Sequence, residues 1–131
     1  MFVEQHPPGI QANVAADRAL RELLACPTLG RIWLVELAGR AVGYIVLTLG
    51  FSLEYGGRDA FIDEFFVQAL YRRRGLGRAA LSFVLGEARR LGVQAVHLQV
   101  EKANPLAERL YRSLGFESCD RRLLSKRIHA S

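Results

Sequence analysis

The period of the apolar pattern changes twice between residues 60 and 100, and this constrains the fold more than any other feature of the chain. Residues 60–67 are apolar except for an adjacent pair of carboxylates, a pattern that predicts a strand. Residues 76–91 place apolar side chains at the three-to-four spacing of an amphipathic helix, and Gly92 supplies its end. Residues 93–100 carry β-branched side chains and predict another strand. A strand, a loop, a helix and a strand therefore follow one another here.

The sequence on either side of this unit predicts smaller elements. They are a helix over 14–24, a hairpin of strands 31–37 and 41–49, a mobile connection over 52–59, a helix over 105–114 and short strands over 116–118 and 123–128. Asn104 and Pro105 stand in the order of an N-cap and a first helical residue. Residues 1–10 contain prolines and a glycine and predict an irregular arm.

Length and composition limit what these elements can build. The chain has 131 residues, of which 50% are hydrophobic, and this predicts one compact domain over residues 1–131. The longest apolar run, residues 41–51, is shorter than the ~20 residues of a membrane-spanning helix, so no membrane partner is expected. The first residues lack a secretory signal pattern, and Cys26 and Cys119 lack metal-ligand spacing. We expect a cytoplasmic protein without a metal ion.

Charge is distributed unevenly along the chain. The formal net charge is +5, and sixteen of the eighteen basic residues are arginines. Residues 1–65 carry a net charge of −3, whereas residues 66–131 carry +8. Because guanidinium groups bind phosphate oxygens in a bidentate manner, the second half of the chain is expected to meet an anion. Nucleic acid, a membrane surface and a phosphorylated cofactor all satisfy this expectation.

The loop between the predicted strand 60–67 and the predicted helix 76–91 is the best candidate for that anion site. Glycines let the backbone approach a ligand closely, and the first N–H groups of the helix have no partner within it. Such a helix start is an anion cradle, and arginines at its mouth suit a diphosphate. The candidate residues are Arg72, Arg73, Arg74, Gly75, Leu76, Gly77 and Arg78.

Other phosphate-binding interpretations of this loop fit less well. A Walker-type loop needs the dipeptide Gly-Lys, which does not occur in the chain. Residues 75–80 satisfy the dinucleotide fingerprint G-x-G-x-x-A, with Glu101 about 20 residues on as a ribose-binding acid, but the loop before Gly75 is long for a Rossmann turn. A single-strand nucleic-acid surface sets aromatics between basic residues, and only Tyr71 stands beside these arginines. We therefore expect no nucleic-acid partner.

Two motifs carry a family resemblance. Arg72, Gly75 and Gly77 occupy the fixed positions of [Q/R]-x-x-G-x-[G/A], and the loop resembles the acetyl-CoA binding motif of the GNAT superfamily of N-acetyltransferases. Residues 104–116 resemble the second motif of that family, N-x-x-A-x-x-L-Y-x-x-x-G-F. The matching residues are Asn104, Ala107, Leu110, Tyr111, Gly115 and Phe116. The two motifs stand in the family's order and at its usual distance, and together they are highly specific.

The resemblance implies an α+β fold with a mixed central sheet flanked by helices. Strands 60–67 and 93–100 would run parallel and splay apart, and acetyl-CoA would lie between them. Members of the family usually begin with a strand and two helices, for which residues 1–30 are short.

The resemblance also assigns the parts of acetyl-CoA to residues of this chain. The diphosphate would bind the backbone of residues 73–78, and the pantetheine arm would pair with the strand end at Phe66 and Val67. Asn104 and Ala107 belong to the second motif and are carried over as cofactor-binding residues, Asn104 in addition to its cap.

The reaction that the resemblance implies is the attack of an amine on a thioester. Near pH 7.4 only about one in a thousand alkylamine molecules is neutral, so a base is needed. The strand resembles the acidic strand of polyamine and thialysine acetyltransferases, which makes Asp63, and after it Glu64, the candidate base. Adjacent strand residues point to opposite faces, so at most one of them directly faces a given cleft. Tyr111 stands where the family places the acid for the leaving thiolate, and the Val67 N–H is a candidate oxyanion donor. His97 is predicted to be a packed strand residue.

The expected acceptor is a small primary amine that attacks acetyl-CoA directly in a ternary complex. Protein N-termini or lysines are the alternative if the groove is open and long. A basic nucleic-acid-binding domain and a CoA sensor without turnover are alternatives of another class. The acceptor side depends on residues 52–59, on the N-terminal helix and, in a homodimer, on the partner subunit.

Overall fold

The computed structural model describes residues 2–3, 14–72 and 75–129 of the chain. Its elements in chain order are β1 (Phe2–Val3), α1 (Val14–Ala25), β2 (Gly30–Leu37), β3 (Arg40–Ser52), β4 (Gly57–Val67), α2 (Leu76–Arg90), β5 (Ala95–His97) and α3 (Pro105–Ser113). One turn of 3-10 helix, Ala69–Tyr71, stands between β4 and α2. The predictions of α1, the β2–β3 hairpin, α2 and α3 are confirmed.

The five strands form one sheet in the order β1-β2-β3-β4-β5. Strands β1 to β4 are antiparallel neighbours, whereas β5 runs parallel to β4 because α2 crosses over between them. The β2–β3 turn holds Ala38 and Gly39 at φ angles of 53° and 77°, which is the left-handed pair that a tight hairpin needs. The sheet is mixed and the fold is α+β, as the resemblance implied.

Side chains on the two faces of the sheet form two separate core clusters. Because strand residues alternate, Trp33 joins one cluster while Ile32 and Leu34 join the other. The larger cluster packs against α2, where the Phe83 ring meets the Trp33 ring edge-to-face at 6.1 Å. The smaller cluster packs Leu20 of α1 against β2 and β3. Helix α1 therefore covers the β2–β3 part of its face.

Two segments predicted to be irregular are more regular in the structure. Strands β3 and β4 continue toward each other, so the connection predicted over 52–59 is reduced to a turn of residues 53–56. The extra length follows from cross-strand pairing that persists to the end of the hairpin. The arm predicted over 1–10 is in part a strand, because β1 pairs with β2. The rest of that arm lies outside the described residues.

The predicted C-terminal strands are the main correction. The strand over 93–100 is confirmed only at Ala95–His97, because β4 stops pairing with the chain after that point. The strands predicted over 116–118 and 123–128 are wrong, since the described residues 116–129 form no strand. An apolar run becomes a strand only beside a neighbour that shares its backbone hydrogen bonds, and the leucines of this segment stay exposed instead.

Candidate active site

A cleft opens between β4 and β5 where the two parallel strands part. Their paired register runs from Asp59 with Ala95 to Phe61 with His97 and ends there. Beyond it lies a cleft of about 640 Å³. The cleft is lined from β4 by Phe61, Ile62 and Asp63, and from the segment after β5 by Gln99, Val100, Glu101, Lys102 and Ala103. The predicted splay of the parallel strands is confirmed.

Asp63 stands in a β-bulge of β4. The register with β3 shifts here: Val46 pairs with Glu64 and the next β3 residue pairs with Ile62, so Asp63 has no partner on β3. The extra residue breaks the alternation of the strand, and Asp63 lines the cleft. Glu64 lies beside Tyr44, whose Oη is 3.5 Å from Glu64 Oε1. Of the two predicted base candidates, Asp63 is the one that borders the cleft.

Tyr44 connects Glu64, by a hydrogen bond, to the face of the sheet that α1 covers. It is buried in the smaller core cluster, and its ring lies 5.8 Å from the ring of Phe66. Burial, together with the nearby Glu64 carboxylate, raises the pKa of the Tyr44 hydroxyl above its usual range. Tyr44 therefore keeps its proton at neutral pH and can donate it in a hydrogen bond to Glu64.

The end of β4 turns backbone groups away from β3. The N–H of Gln68 donates to the carbonyl of Val42 over 2.7 Å, so the neighbouring pair of Val67 with Gly43 is a non-hydrogen-bonded pair. The N–H and C=O of Val67 accordingly point to the side on which β5 lies, and its carbonyl accepts from Arg72 Nε at 2.7 Å. This edge offers the kind of backbone groups that an amide of pantetheine pairs with.

Arg72 is held against this end of β4. Its guanidinium carbon lies 5.7 Å from the centroid of the Phe66 ring, while Nε bonds the Val67 carbonyl. Arg72 thereby fixes the loop to the strand. Arg73 and Arg74, predicted for the same anion, lie outside the described residues.

Helix α2 starts with its first N–H groups uncapped by any side chain. Its N-cap, Gly75, has a φ of 76°, a left-handed conformation that other residues disfavour. Among the described residues, a Cβ added at Gly75 would meet no atom within 4 Å, whereas one added at Gly77 would lie 3.5 Å from Leu110 Cδ2 and Phe65 Cζ. The open side of the anion cradle is therefore at Gly75. Gly77 faces Leu110 of α3 and Phe65 of β4 with room for a methyl group, and Leu76 packs against the larger core cluster.

Two other predicted ligands make contacts within the protein. Arg78 Nη1 donates to Ser113 Oγ at 2.5 Å and so joins the start of α2 to the end of α3. Asn104 Oδ1 accepts from the Ala107 N–H at 3.2 Å, which confirms the predicted helix cap. These bonds position the two helices that border the anion cradle.

Tyr111 is half-buried on α3, where its ring meets that of Phe116 at 6.0 Å. Burial raises the pKa of the Tyr111 hydroxyl, so the group stays protonated at neutral pH. Tyr111 borders a second cavity, of about 1250 Å³. Gln99, Val100 and Lys102 line both this cavity and the cleft, so the two spaces adjoin. The structure places the two predicted acid–base residues in adjoining spaces.

His97, at the last paired position of β5, lines the larger cavity and forms a histidine–carboxylate pair with Asp59 that the sequence did not indicate. His97 Nε2 is 3.1 Å from Asp59 Oδ2, and the two side chains are 25% and 15% exposed. The rings of Tyr55 and Phe61 each lie 5.0 Å from the imidazole ring. His97 is therefore packed between two aromatic rings and contacts a carboxylate. The residues of this pair are 38 positions apart, and only the parallel register of β4 and β5 brings them together.

The parted parallel strands and the nearby helix capped by Gly75 are the features that the two sequence motifs predicted for an acetyltransferase. The sequence model of the acetyltransferase (GNAT) family matches residues 3–116. This chain belongs to the GNAT acetyltransferase family.

Characterised relatives match parts of the chain. It is 42% identical over 58 residues to the [ribosomal protein bS18]-alanine N-acetyltransferase of Escherichia coli strain K12, a match that covers 44% of this chain and 39% of that protein. It is 39% identical over 87 residues to the mycothiol acetyltransferase of Thermobispora bispora, covering 64% of this chain and 29% of that protein. The matches thus span less than half the length of these relatives.

Solved structures share the fold over most of the chain. An integron cassette protein from the mobile metagenome of Cole Harbour Salt Marsh is 44% identical with a TM-score of 0.79, covering 89% of this chain and 72% of that one. The aminoglycoside acetyltransferase AAC(6')-Iy, in complex with a bisubstrate analogue of CoA, is 19% identical with a TM-score of 0.76, covering 92% of this chain and 82% of that one. The second likeness concerns the fold alone.

Two further findings concern the whole of the described chain. None of its helices is long and apolar enough to cross a membrane. Within residues 2–3, 14–72 and 75–129, no three histidine, cysteine or acidic side chains are grouped as metal ligands.

Proposed function

We propose that this chain is an N-acetyltransferase that transfers the acetyl group of acetyl-CoA to a primary amine of a small molecule, by direct attack in a ternary complex. The observation that carries the proposal is the cleft between the parted strands, next to the glycine-capped start of α2. Acetyl-CoA that extends from this cleft along β4 would meet the outward N–H of Val67 and then the anion-binding start of α2. The open face of the sheet leaves room for the amine.

The proposed acetyl-CoA site uses the backbone more than charged side chains. The N–H groups after Gly75 would hold the diphosphate, and the edge of β4 at Phe66 and Val67 would pair with pantetheine. The remaining cofactor-binding residues are proposed from the two motifs: Arg72, Arg73, Arg74, Leu76, Gly77, Arg78, Asn104 and Ala107. Arg72, Arg78 and Asn104 also shape this site through the bonds they make to β4 and α3.

The proposed mechanism assigns the amine to Asp63 and the thiolate to Tyr111. Asp63 borders the cleft and would meet the ammonium form of the acceptor, which makes it the favoured carboxylate base. Glu64 would contribute negative charge from the neighbouring position. Tyr111, whose pKa is raised by burial, keeps its hydroxyl proton at neutral pH and would donate it to the thiolate as the C–S bond breaks. The Val67 N–H would stabilise the oxyanion.

A peptide N-terminus is a second candidate acceptor, because of one specific comparison. The bS18-alanine N-acetyltransferase, by its name, acts on the alanine of a ribosomal protein, and it is 42% identical to this chain over 58 residues. A small-molecule acceptor is favoured by the size of the cleft, which at about 640 Å³ fits one thioester and a short amine.

Thermal shift with acetyl-CoA, followed by thiol release over an amine panel, tests the proposal. The panel contains diamines, amino sugars and a peptide that begins with alanine. A ligand at ~100 times its Kd adds ~2.7 kcal/mol to the free energy of unfolding, which is easily measured. No shift at saturating acetyl-CoA would exclude the cofactor. A shift without thiol release on any acceptor would favour a CoA sensor.

The cellular setting is proposed as the cytoplasm. Cys26 and Cys119 are both exposed free thiols, and such thiols persist best in a reducing compartment. The partners proposed are acetyl-CoA and the amine, without nucleic acid or a membrane, and a homodimer stays a prediction.

A further inference from the structure

The Asp59–His97 pair lies on the face of the sheet opposite α2. Val96 and Leu98, on either side of His97, pack against the larger core cluster, so the alternation of the strand turns His97 to the other face. On that face the cluster under α1 is built from α1, β2 and β3. His97 thus lies beside the covered part of the face, and it lines the larger cavity.

A glycine of β3 leaves space for the carboxylate of Asp59. Gly50 is the cross-strand partner of Asp59, and a Cβ added at Gly50 would lie 2.9 Å from Asp59 Oδ1. The glycine therefore leaves the space that the carboxylate occupies. The other oxygen, Oδ2, lies 3.1 Å from His97 Nε2, and the rings of Tyr55 and Phe61 hold the imidazole ring from its sides. The orientation of His97 is set by Asp59 and Phe61 of β4 and by Tyr55 of the turn.

This arrangement decides which imidazole nitrogen is available. An ionised carboxylate only accepts hydrogen bonds, so Asp59 assigns the proton of neutral His97 to Nε2 and leaves the lone pair on Nδ1. Imidazoles titrate closer to neutral pH than carboxylates do, so they are the better matched bases at pH 7. A histidine held by a carboxylate, in the cavity that Tyr111 also borders and that adjoins the cleft, has the chemistry of a general base.

Resting on the proposed function, we propose that His97 accepts the proton that leaves the acceptor's ammonium group. Asp59 is its positioning residue. His97 then replaces Asp63 as the base, and Asp63 binds the ammonium group without removing its proton. Proton transfer to Nδ1 leaves the amine neutral. The nitrogen lone pair then adds to the thioester carbonyl carbon and gives an oxyanion. The C–S bond breaks as the oxyanion re-forms the C=O bond, and the thiolate takes the Tyr111 proton. The second proton of the nitrogen returns to Tyr111, and His97 releases its proton to water, so one proton is lost per turnover.

Other ionisable groups lie close to the pair. The β3–β4 turn contributes Tyr55 and Glu54. Glu54 forms an ion pair with Arg121 of the C-terminal segment, in which Arg121 Nη1 lies 2.8 Å from Glu54 Oε1. Arg121, and more weakly His97, lower the pKa of the Glu54 carboxyl. Arg121→Gln therefore serves as a control for charge effects that reach His97 through Glu54.

The test compares His97→Gln with wild type on two amines. The first is the alkylamine with the highest turnover in the panel, and the second is its fluorinated analogue, which is already neutral at pH 7 and needs no base. We expect kcat/KM for the alkylamine to fall by ~10²–10⁴ and the loss to be much smaller for the fluorinated amine. Affinity for acetyl-CoA should not change. His129→Gln, the same substitution on an exposed residue outside the site, should behave as wild type.

Gly50→Ala is the second variant, and it leaves both residues of the pair intact. Its new Cβ displaces the Asp59 carboxylate from His97, so kcat for the alkylamine should fall while the KM for acetyl-CoA is kept. Equal losses of His97→Gln on both amines would mean a structural role, and unchanged kcat/KM for either variant on the alkylamine would also overturn the assignment. Absence of wild-type turnover on every amine would instead overturn the proposed function.

Discussion

The Nε of Arg72 donates a hydrogen bond to the carbonyl oxygen of Val67 over 2.7 Å, and its guanidinium lies over the Phe66 ring. The loop before α2 is therefore fastened to the end of β4, and the outward backbone of Val67 is fixed relative to the helix start. The role of Arg72 in binding acetyl-CoA would then depend on the shape of its guanidinium as well as on its charge.

Arg72→Lys should accordingly weaken acetyl-CoA binding about as much as Arg72→Ala. Lysine keeps the charge but has no planar Nε donor to reach the Val67 carbonyl from the same position. A charge-assisted hydrogen bond contributes roughly 1.5–3 kcal/mol, so a rise in Kd of about tenfold or more is expected by titration calorimetry. Arg89→Ala, an exposed arginine at the far end of α2, is the control. Wild-type affinity in Arg72→Lys would show that charge alone matters.

The glycines of the loop should respond differently to alanine. At Gly75, with a φ of 76°, a Cβ costs about 1–2 kcal/mol of folding free energy and displaces the first N–H groups of α2. At Gly77 the Cβ makes ordinary contacts at 3.5 Å, and alanine favours the helix by up to about 1 kcal/mol. Gly75→Ala should lower both the melting temperature and acetyl-CoA affinity, while Gly77→Ala should preserve both. Calorimetry of the two variants side by side checks this, and the reverse order would place the cradle at Gly77.

The sequence predicts those parts of this fold that depend on local pattern. The helix cap at Asn104 and the α2 boundaries follow from neighbouring residues, and the structure agrees with both. The bulge at Asp63 and the Asp59–His97 pair depend on strand register, which no local pattern contains. The residues that face Gly77 likewise depend on how α2 packs against α3 and β4.

Asp63 and Glu64 should differ when each is converted to its amide. Asp63→Asn removes the carboxylate that lines the cleft, so KM for a cationic amine should rise by about tenfold or more. Glu64→Gln leaves the cleft carboxylate in place and keeps a hydrogen-bond acceptor for Tyr44, so its KM should stay within about twofold of wild type. Steady-state kinetics with the amine varied at saturating acetyl-CoA measures both values. A larger effect of Glu64→Gln would reverse the assignment of the two carboxylates.

Stability should fall at alkaline pH because two tyrosines are protected from ionisation. Burial raises the pKa of Tyr44 and of Tyr111, with Glu64 adding to the shift at Tyr44. Above pH ~10 the unfolded chain loses these protons while the folded chain keeps them, so the stabilisation present below that pH is lost as pH rises through the raised values. Melting temperatures from pH 8 to 11 should fall less steeply in Tyr44→Phe and Tyr111→Phe than in wild type. An equal dependence of melting temperature on pH in all three proteins would contradict the raised pKa of the two tyrosines.

Tyr111→Phe separates a catalytic hydroxyl from a packed ring. The phenylalanine ring keeps the edge-to-face contact with Phe116 and its place beside the core cluster, so folding and acetyl-CoA affinity should be preserved. Without a proton donor the thiolate must leave unprotonated, and kcat should fall by ~10²–10⁴. A more acidic leaving thiol has less need of a proton donor. Turnover of a thioester of an aryl thiol should therefore fall less in Tyr111→Phe than turnover of acetyl-CoA does. Thiol-release kinetics on both thioesters measures this difference. A uniform loss on the two thioesters, or no loss on either, would return Tyr111 to a purely structural role.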